Sequence, residues 1–300
     1  MELVLIIFNQ LVFMLILIMM GFLLVKTKLL NDEGAKSLTN IILYVSSPII
    51  IISSYHSSFD MIKLKKLLMS FLIAVFIHVL FIVLTKIFKI KNPVDISAAT
   101  LSNAAFMGVP LISAALGEEA VFYLSAYIAI NLLFTWTFSV KIYSPEQKID
   151  INNIIKTPIT IAIVIGLFIF FTQIKLPGII LTVVDSIKTL NTPLAMFVLG
   201  SYVANISFTD FRKNLPKLIL PTFYKLILFP LIALIIMRLL PDTFNDLKVI
   251  NMIAAASPSA INVALFARKY NSDYKRATEL VCLTTIFCIL TIPIFVYLLG

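Results

Sequence analysis

The sequence predicts an all-α polytopic membrane protein, with ten transmembrane helices arranged as two inverted five-helix repeats. Three observations carry that prediction. Hydrophobic residues make up 60% of the 300-residue chain and charged ones only 13%, whereas about a quarter of a soluble domain is charged. Apolar stretches long enough to cross a bilayer follow one another from end to end. Proline-centred polar interruptions recur in the same order in both halves.

A spanning helix needs about 20 apolar residues. On that basis the first five spans are Leu3–Val25, Ser37–Tyr55, Leu64–Phe88, Asp95–Leu116 and Ala120–Val140. The next five are Thr157–Thr172, Val183–Ile206, Leu218–Leu240, Leu247–Ala267 and Glu279–Leu299. The opening run MELVLIIFNQLVFMLILIMMGFLLVK lacks the basic start and small-residue cleavage site of a signal peptide, so a retained helix is expected. The sixth span is short, and SPEQKIDINNIIK before it is the longest polar stretch. Residues 1–141 therefore form the first repeat, 142–156 a cytoplasmic linker and 157–300 the second repeat.

Orientation follows from the lysines and arginines, which concentrate in cytoplasmic loops. Loops after the odd-numbered spans carry sixteen of the 24, the opposite loops seven, and Lys225 lies within the eighth span. A multi-pass protein of the cell membrane with both termini outside is expected. The net charge of +9 is thus an orientation signal, and no nucleic-acid partner is expected. Cys282 and Cys288 share the last span without any metal or disulfide spacing; they read as apolar fillers, and neither metal nor cofactor is expected.

The second span has VSSPIIIIS around Pro48 and the seventh LNTPLAMFVLGS around Pro193. The fourth has SNAAFMGVPLISAALGEEA around Pro110 and the ninth AAASPSAINVALFA around Pro258. The proline pairs are 62 and 65 residues apart. Five spans is an odd number, so the second half enters from the opposite side, the plan by which many secondary transporters build two alternating states.

A proline inside a helix costs a backbone hydrogen bond and a steric clash, about 3 kcal/mol or more, and hydrocarbon supplies no water to the freed groups. Breaks are therefore expected at Gly108-Val109-Pro110 and Ser257-Pro258-Ser259. Ser102, Asn103 and Ser113 surround the first, Asn251 and Asn262 the second. Gly108 is expected to admit a close backbone. If the breaks meet, half-helix N-termini with about half a positive charge each face one cavity and suit an anion such as a carboxylate.

AAASPSAINVALFARKYN followed by LVCLTTIFCILTIPI resembles the end of the auxin efflux carrier family. NAAFMGVPLISAALGEEA is similar to that family's fourth helix and NTPLAMFVLGSYV to its seventh. The resemblance implies broken, crossed helices 4 and 9 around a substrate site. It places Pro110 and Pro258 at the crossover, with Asn103 and Asn262 as polar positions beside them. The long cytoplasmic loop of many plant members is reduced here to about residues 143–156, as in small prokaryotic-type members. The expected substrate-binding set is Asn103, Gly108, Pro110, Ser257, Pro258, Ser259 and Asn262.

Other polar residues allow two readings each. His78 is a proton relay or a helix-packing histidine. Lys225 attracts an anion or snorkels to the interface. Asn131 and Asn191 line a cavity or bond neighbouring helices. Two histidines, no HExxH, no aspartate pair within the spans and no GxxxxGK[ST] argue against an enzyme and against direct ATP coupling.

The expected function is secondary transport of a small organic anion, a malate- or auxin-like carboxylate, by alternating access. Na⁺ or H⁺ is a candidate coupling ion, but no span holds a clear mid-membrane Asp or Glu, so facilitated diffusion or anion exchange stands beside it. The lipid bilayer is the surroundings, and a homodimer the candidate assembly. The competing reading is a non-transporting membrane receptor or scaffold, which needs no midplane cavity.

Overall fold

A computed structural model describes residues 1–299; Gly300, the last residue of the expected second repeat, lies outside them. Every named element among the described residues is helical. Seven helices are long and apolar enough to cross a membrane: α1 (Glu2–Lys26), α2 (Asp32–Ser54), α3 (Met61–Ile87), α6 (Ala120–Tyr143), α8 (Gly178–Ala204), α9 (Phe208–Met237) and α12 (Tyr274–Leu299). Between them lie α4 (Pro93–Thr100), α5 (Ala104–Leu116), α7 (Pro158–Thr172), α10 (Asn245–Ala256) and α11 (Asn262–Lys269). The fourth predicted span is thus α4 plus α5, and the ninth is α10 plus α11.

Local sequence explains where the helices start. Asn31, Asp60, Asn92, Thr157 and Ser207 each cap a helix by accepting from a backbone N–H of its first turn, which satisfies a donor that has no partner within the helix. Pro93 and Pro158 occupy first-turn positions, where a missing N–H costs nothing. The α5–α6 turn needs Gly117, whose φ is 86°. The eighth span begins ten residues before the predicted Leu218, because Ser207 caps an amphipathic turn, FTDFRKN, ahead of the apolar stretch.

Proline does not break three of these helices. Pro48, Pro110 and Pro230 each lie two residues beyond a π-helical turn: Ile42–Ser46, Ala104–Gly108 and Tyr224–Leu228. The residue four before each proline lies inside that wider turn, so the ring meets no tightly wound carbonyl and the helix continues. The break expected at Gly108-Val109-Pro110 therefore falls elsewhere: the chain leaves the helix after Thr100 and re-enters at Ala104. A Cβ on Gly108 would meet side chains only, Ala104 at 3.6 Å and Leu124 at 3.8 Å. No backbone closes on Gly108, contrary to expectation.

The helices pack as two groups. α1 lies along α8, and α2 packs on both α7 and α8. The second group joins α3 to α6 and gathers α9, α10 and α11 against α12. α1 links the groups by touching α5 and α12. The α1–α8 crossing is close because two glycines face it. A Cβ on Gly21 would lie 2.6 Å from the Phe197 backbone, and one on Gly200 would lie 2.6 Å from the Phe22 nitrogen. Small residues at such crossings are how helices associate in lipid, where no hydrophobic drive acts between them. Outward faces carry Leu5, Ile16, Phe76, Phe168 and Ile294, all exposed; a continuous apolar surface of this kind belongs in contact with lipid.

Candidate functional site

The two broken helices meet. Residues 101–103 and 257–261 run antiparallel, bridged at Ser102 and Ser259. The Asn103 N–H donates to the Pro258 carbonyl at 2.8 Å, and the Ala260 N–H donates to the Leu101 carbonyl at 3.1 Å. Each break thereby satisfies backbone groups of the other. Non-helical backbone at membrane depth is tolerated only with such partners.

Side chains complete the pairing. Ser259 Oγ donates to the Ala98 carbonyl at 2.8 Å, and Ser102 Oγ donates to the Ala255 carbonyl at 3.3 Å, so each serine ties down the end of the other half's helix. Asn131 on α6 grips Ser102 twice: its Oδ1 accepts from the Ser102 N–H at 3.1 Å, and its Nδ2 donates to the Ser102 carbonyl at 3.0 Å. Thr284 on α12 does the corresponding work opposite, accepting from the Ser259 N–H at 3.1 Å. Tyr127 donates to Ser102 Oγ at 3.3 Å. His78 lies against Tyr127 and stacks on Phe134, with Nδ1 2.8 Å from the Ala74 carbonyl and Nε2 3.2 Å from Asn131 Oδ1.

Lys225 does not snorkel. It is completely buried, and its ammonium donates to Ser102 Oγ at 2.6 Å and to the Ala255 carbonyl at 3.4 Å. Asn191 is buried too, accepting from Ser46 Oγ at 2.9 Å and Ser47 Oγ at 3.2 Å, which joins α8 to α2. Asn251 lies within α10 and donates to Ser70 on α3 at 3.0 Å, away from the break.

Of the expected binding residues, Asn103, Ser257, Pro258 and Ser259 lie in the crossover, and Asn262 begins α11 beside it, half-buried. The Asn103 side chain is buried, and its Nδ2 has no partner. Ser257 Oγ donates to the Ile253 carbonyl at 2.8 Å and closes the end of α10. Gly108 and Pro110 stand a turn or more beyond the crossover, inside α5. The N-termini of α5 and α11 both start at the crossover, as do the C-termini of α4 and α10. Residues the sequence reading left out of the set are Ser102, Tyr127, Asn131, Lys225 and Thr284. Ser102 had a signal, standing beside Asn103 in the polar stretch; nothing in the sequence singles out Tyr127 or Thr284.

A cavity of about 1060 Å³ opens between the two helix groups. Gln10, Ser53, Ser54 and Thr192 line one wall, Pro110 and Ser113 of α5 the other. His56, Lys63, Glu118, Glu119, Asp185 and Lys188 surround it, all at the end where α2, α5 and α7 finish. Lys188 bonds both Glu118 and Asp185 there. Pro110 thus lines the cavity rather than the crossover.

Comparison with known proteins identifies the family. A family model described as membrane transport protein matches residues 6–155 and again 147–296. An uncharacterized transporter of Methanocaldococcus jannaschii is 27% identical over 301 residues, covering 95% of this chain and 96% of its own. Another from Methanothermobacter thermautotrophicus is 22% identical over 298 residues, covering 94% of each chain. The chain belongs to the membrane transport protein family, that of the auxin efflux carriers, as a small prokaryotic-type member; it is a multi-pass membrane transporter and not an enzyme.

Proposed function

We propose that this protein is a secondary transporter that moves a small organic anion, a malate- or auxin-like carboxylate, by alternating access. The observation that carries the reading is the antiparallel pairing of two broken helices, with the N-termini of α5 and α11 beginning at the pairing and the unpartnered Asn103 amide among them. Helix N-termini and free amide donors suit a carboxylate. The two five-helix halves, 1–141 and 157–300, are read as inverted repeats joined by the linker at 142–156, and each supplies one broken helix.

With both termini outside, as the lysine distribution argues, the cavity opens outward. It lies between the α1–α2–α7–α8 group and the rest, so rocking one group against the other closes it and opens the opposite side. Asn103, Ser257, Pro258, Ser259 and Asn262 then meet the substrate at the crossover, while Gly108 and Pro110 shape the approach to it.

The test is uptake and efflux of labelled malate and indole-3-acetate in liposomes of purified protein, with an imposed anion gradient. Flux above protein-free liposomes that falls at least tenfold in a folded Asn103→Ala variant supports the reading. No flux of any mono- or dicarboxylate under any gradient overturns it.

A further inference from the structure

The crossover carries its own cation. Lys225 reaches it from the π-helical turn of α9 and binds the Ala255 carbonyl and the Ser102 hydroxyl. Its Nζ lies 5.8 Å from the Phe81 ring centroid, an added cation–π contact. Among the described residues, no carboxylate pairs with it. The acidic groups on its neighbouring helices are engaged elsewhere: Asp95 by Arg276 and Glu279 by Asn214.

An ammonium without a counter-ion needs other negative partners, and the position supplies them. Ala255 is in the last turn of α10, where carbonyls lack helical partners and the helix end is partly negative. The Ser102 hydroxyl already donates to Ala255, so its lone pairs are turned to Lys225. In transporters with discontinuous helices, half-helix C-terminal carbonyls and unwound backbone are the groups that hold a coupling Na⁺. Here a side chain fills that position.

We propose that the Lys225 ammonium is the resident cation of the crossover, standing where a coupling Na⁺ would stand, so that the protein binds no Na⁺ there and works without it. The meaning of the proposal rests on the transporter reading, but its test needs no substrate. Removing the ammonium leaves its two oxygen partners, Ser102 Oγ and the Ala255 carbonyl, facing the vacated position, and Na⁺ is a hard cation that takes oxygen ligands.

Saturable ²²Na⁺ binding and the thermal unfolding midpoint are measured on the purified full chain, in NaCl and in choline chloride. The wild type and Lys225→Arg should bind no ²²Na⁺ and unfold at the same temperature in both salts. Lys225→Met should unfold at a lower temperature in choline chloride and regain about 3 °C or more in NaCl by mass action, with saturable ²²Na⁺ binding. Wild-type ²²Na⁺ binding overturns the proposal, and so does a folded Lys225→Met that ignores Na⁺. If Lys225→Met does not fold in either salt, the wild-type and Lys225→Arg measurements decide. Loss of the transporter reading alone would show as absent anion flux with these salt responses intact.

Discussion

Asn131→Leu tests the crossover where it is most dependent on one side chain. Leucine keeps the approximate volume and removes both bonds to Ser102, leaving a buried backbone N–H and carbonyl unpaired. Each such group costs about 1–3 kcal/mol, whereas single side-chain hydrogen bonds in membrane helices average only about 0.6 kcal/mol because the freed groups find other partners. Ser102 is pinned on its other side by the pairing with residues 257–261, and α6 is the element that faces it, so re-pairing is obstructed. The larger figure applies, and for two groups the expected loss is about 2–6 kcal/mol. Thr284→Val removes one bond, to the Ser259 N–H, with an expected loss of about 1–2 kcal/mol. Unfolding in mixed micelles by increasing SDS fraction, followed by circular dichroism, measures both. An Asn131→Leu cost no larger than that of Thr284→Val would refute the claim that α6 holds the break by a double grip.

Glycine substitutions separate the α1–α8 crossing from the π turn of α5. Gly200→Ala drives a methyl into the α1 backbone and should cost about 1–3 kcal/mol, while Gly108→Ala, which meets only ordinary contacts, should unfold within about 0.5 kcal/mol of wild type. Asp95 holds Arg276 through two bonds of 2.6 and 2.9 Å, both side chains mostly buried; Asp95→Asn should cost about 3 kcal/mol in the same assay, less after Arg276→Met is added, because an unpaired buried charge is worse than none. The native cysteines are buried, which leaves a low background for maleimide labelling. Ser113→Cys should react with a membrane-impermeant maleimide from the outside and Asn103→Cys should not, whereas labelling of Ser113→Cys only after permeabilisation would reverse the orientation.

Much of the architecture was legible because lipid imposes one strong rule: long apolar stretches become helices. The polar extensions were less so, since capping by Asn31 and Ser207 lengthens helices beyond their apolar part. Pro258 marked the second break correctly. There Ser257 is extended, with ψ of 150°, a conformation favoured before proline. The first break was hidden. Residues 101–103 contain neither glycine nor proline, and their extended form depends on partners from 257–261, more than 150 residues away in the chain. Gly108 and Pro110 drew attention because local rules condemn them, yet a π-helical turn accommodates the proline. Lys225 was ambiguous for a related reason: an apolar helix with one lysine does not say which side faces protein.

The two breaks are held at the crossover by different chemistry, and that difference is informative. Asn131 from α6 and Thr284 from α12 both anchor the backbone nitrogen of a bridging serine, so these helices play matching parts. The helices before the breaks do not match. α3 brings His78, which reaches the crossover indirectly, through Asn131 and Tyr127, whereas α9 brings Lys225 directly onto Ser102 and Ala255. A pairing that needed only to close backbone hydrogen bonds would gain nothing from a buried lysine, whose desolvation in a membrane costs a few kcal/mol. That cost falls on one break alone. The lysine makes the α10 side of the crossover electrostatically distinct from the α4 side.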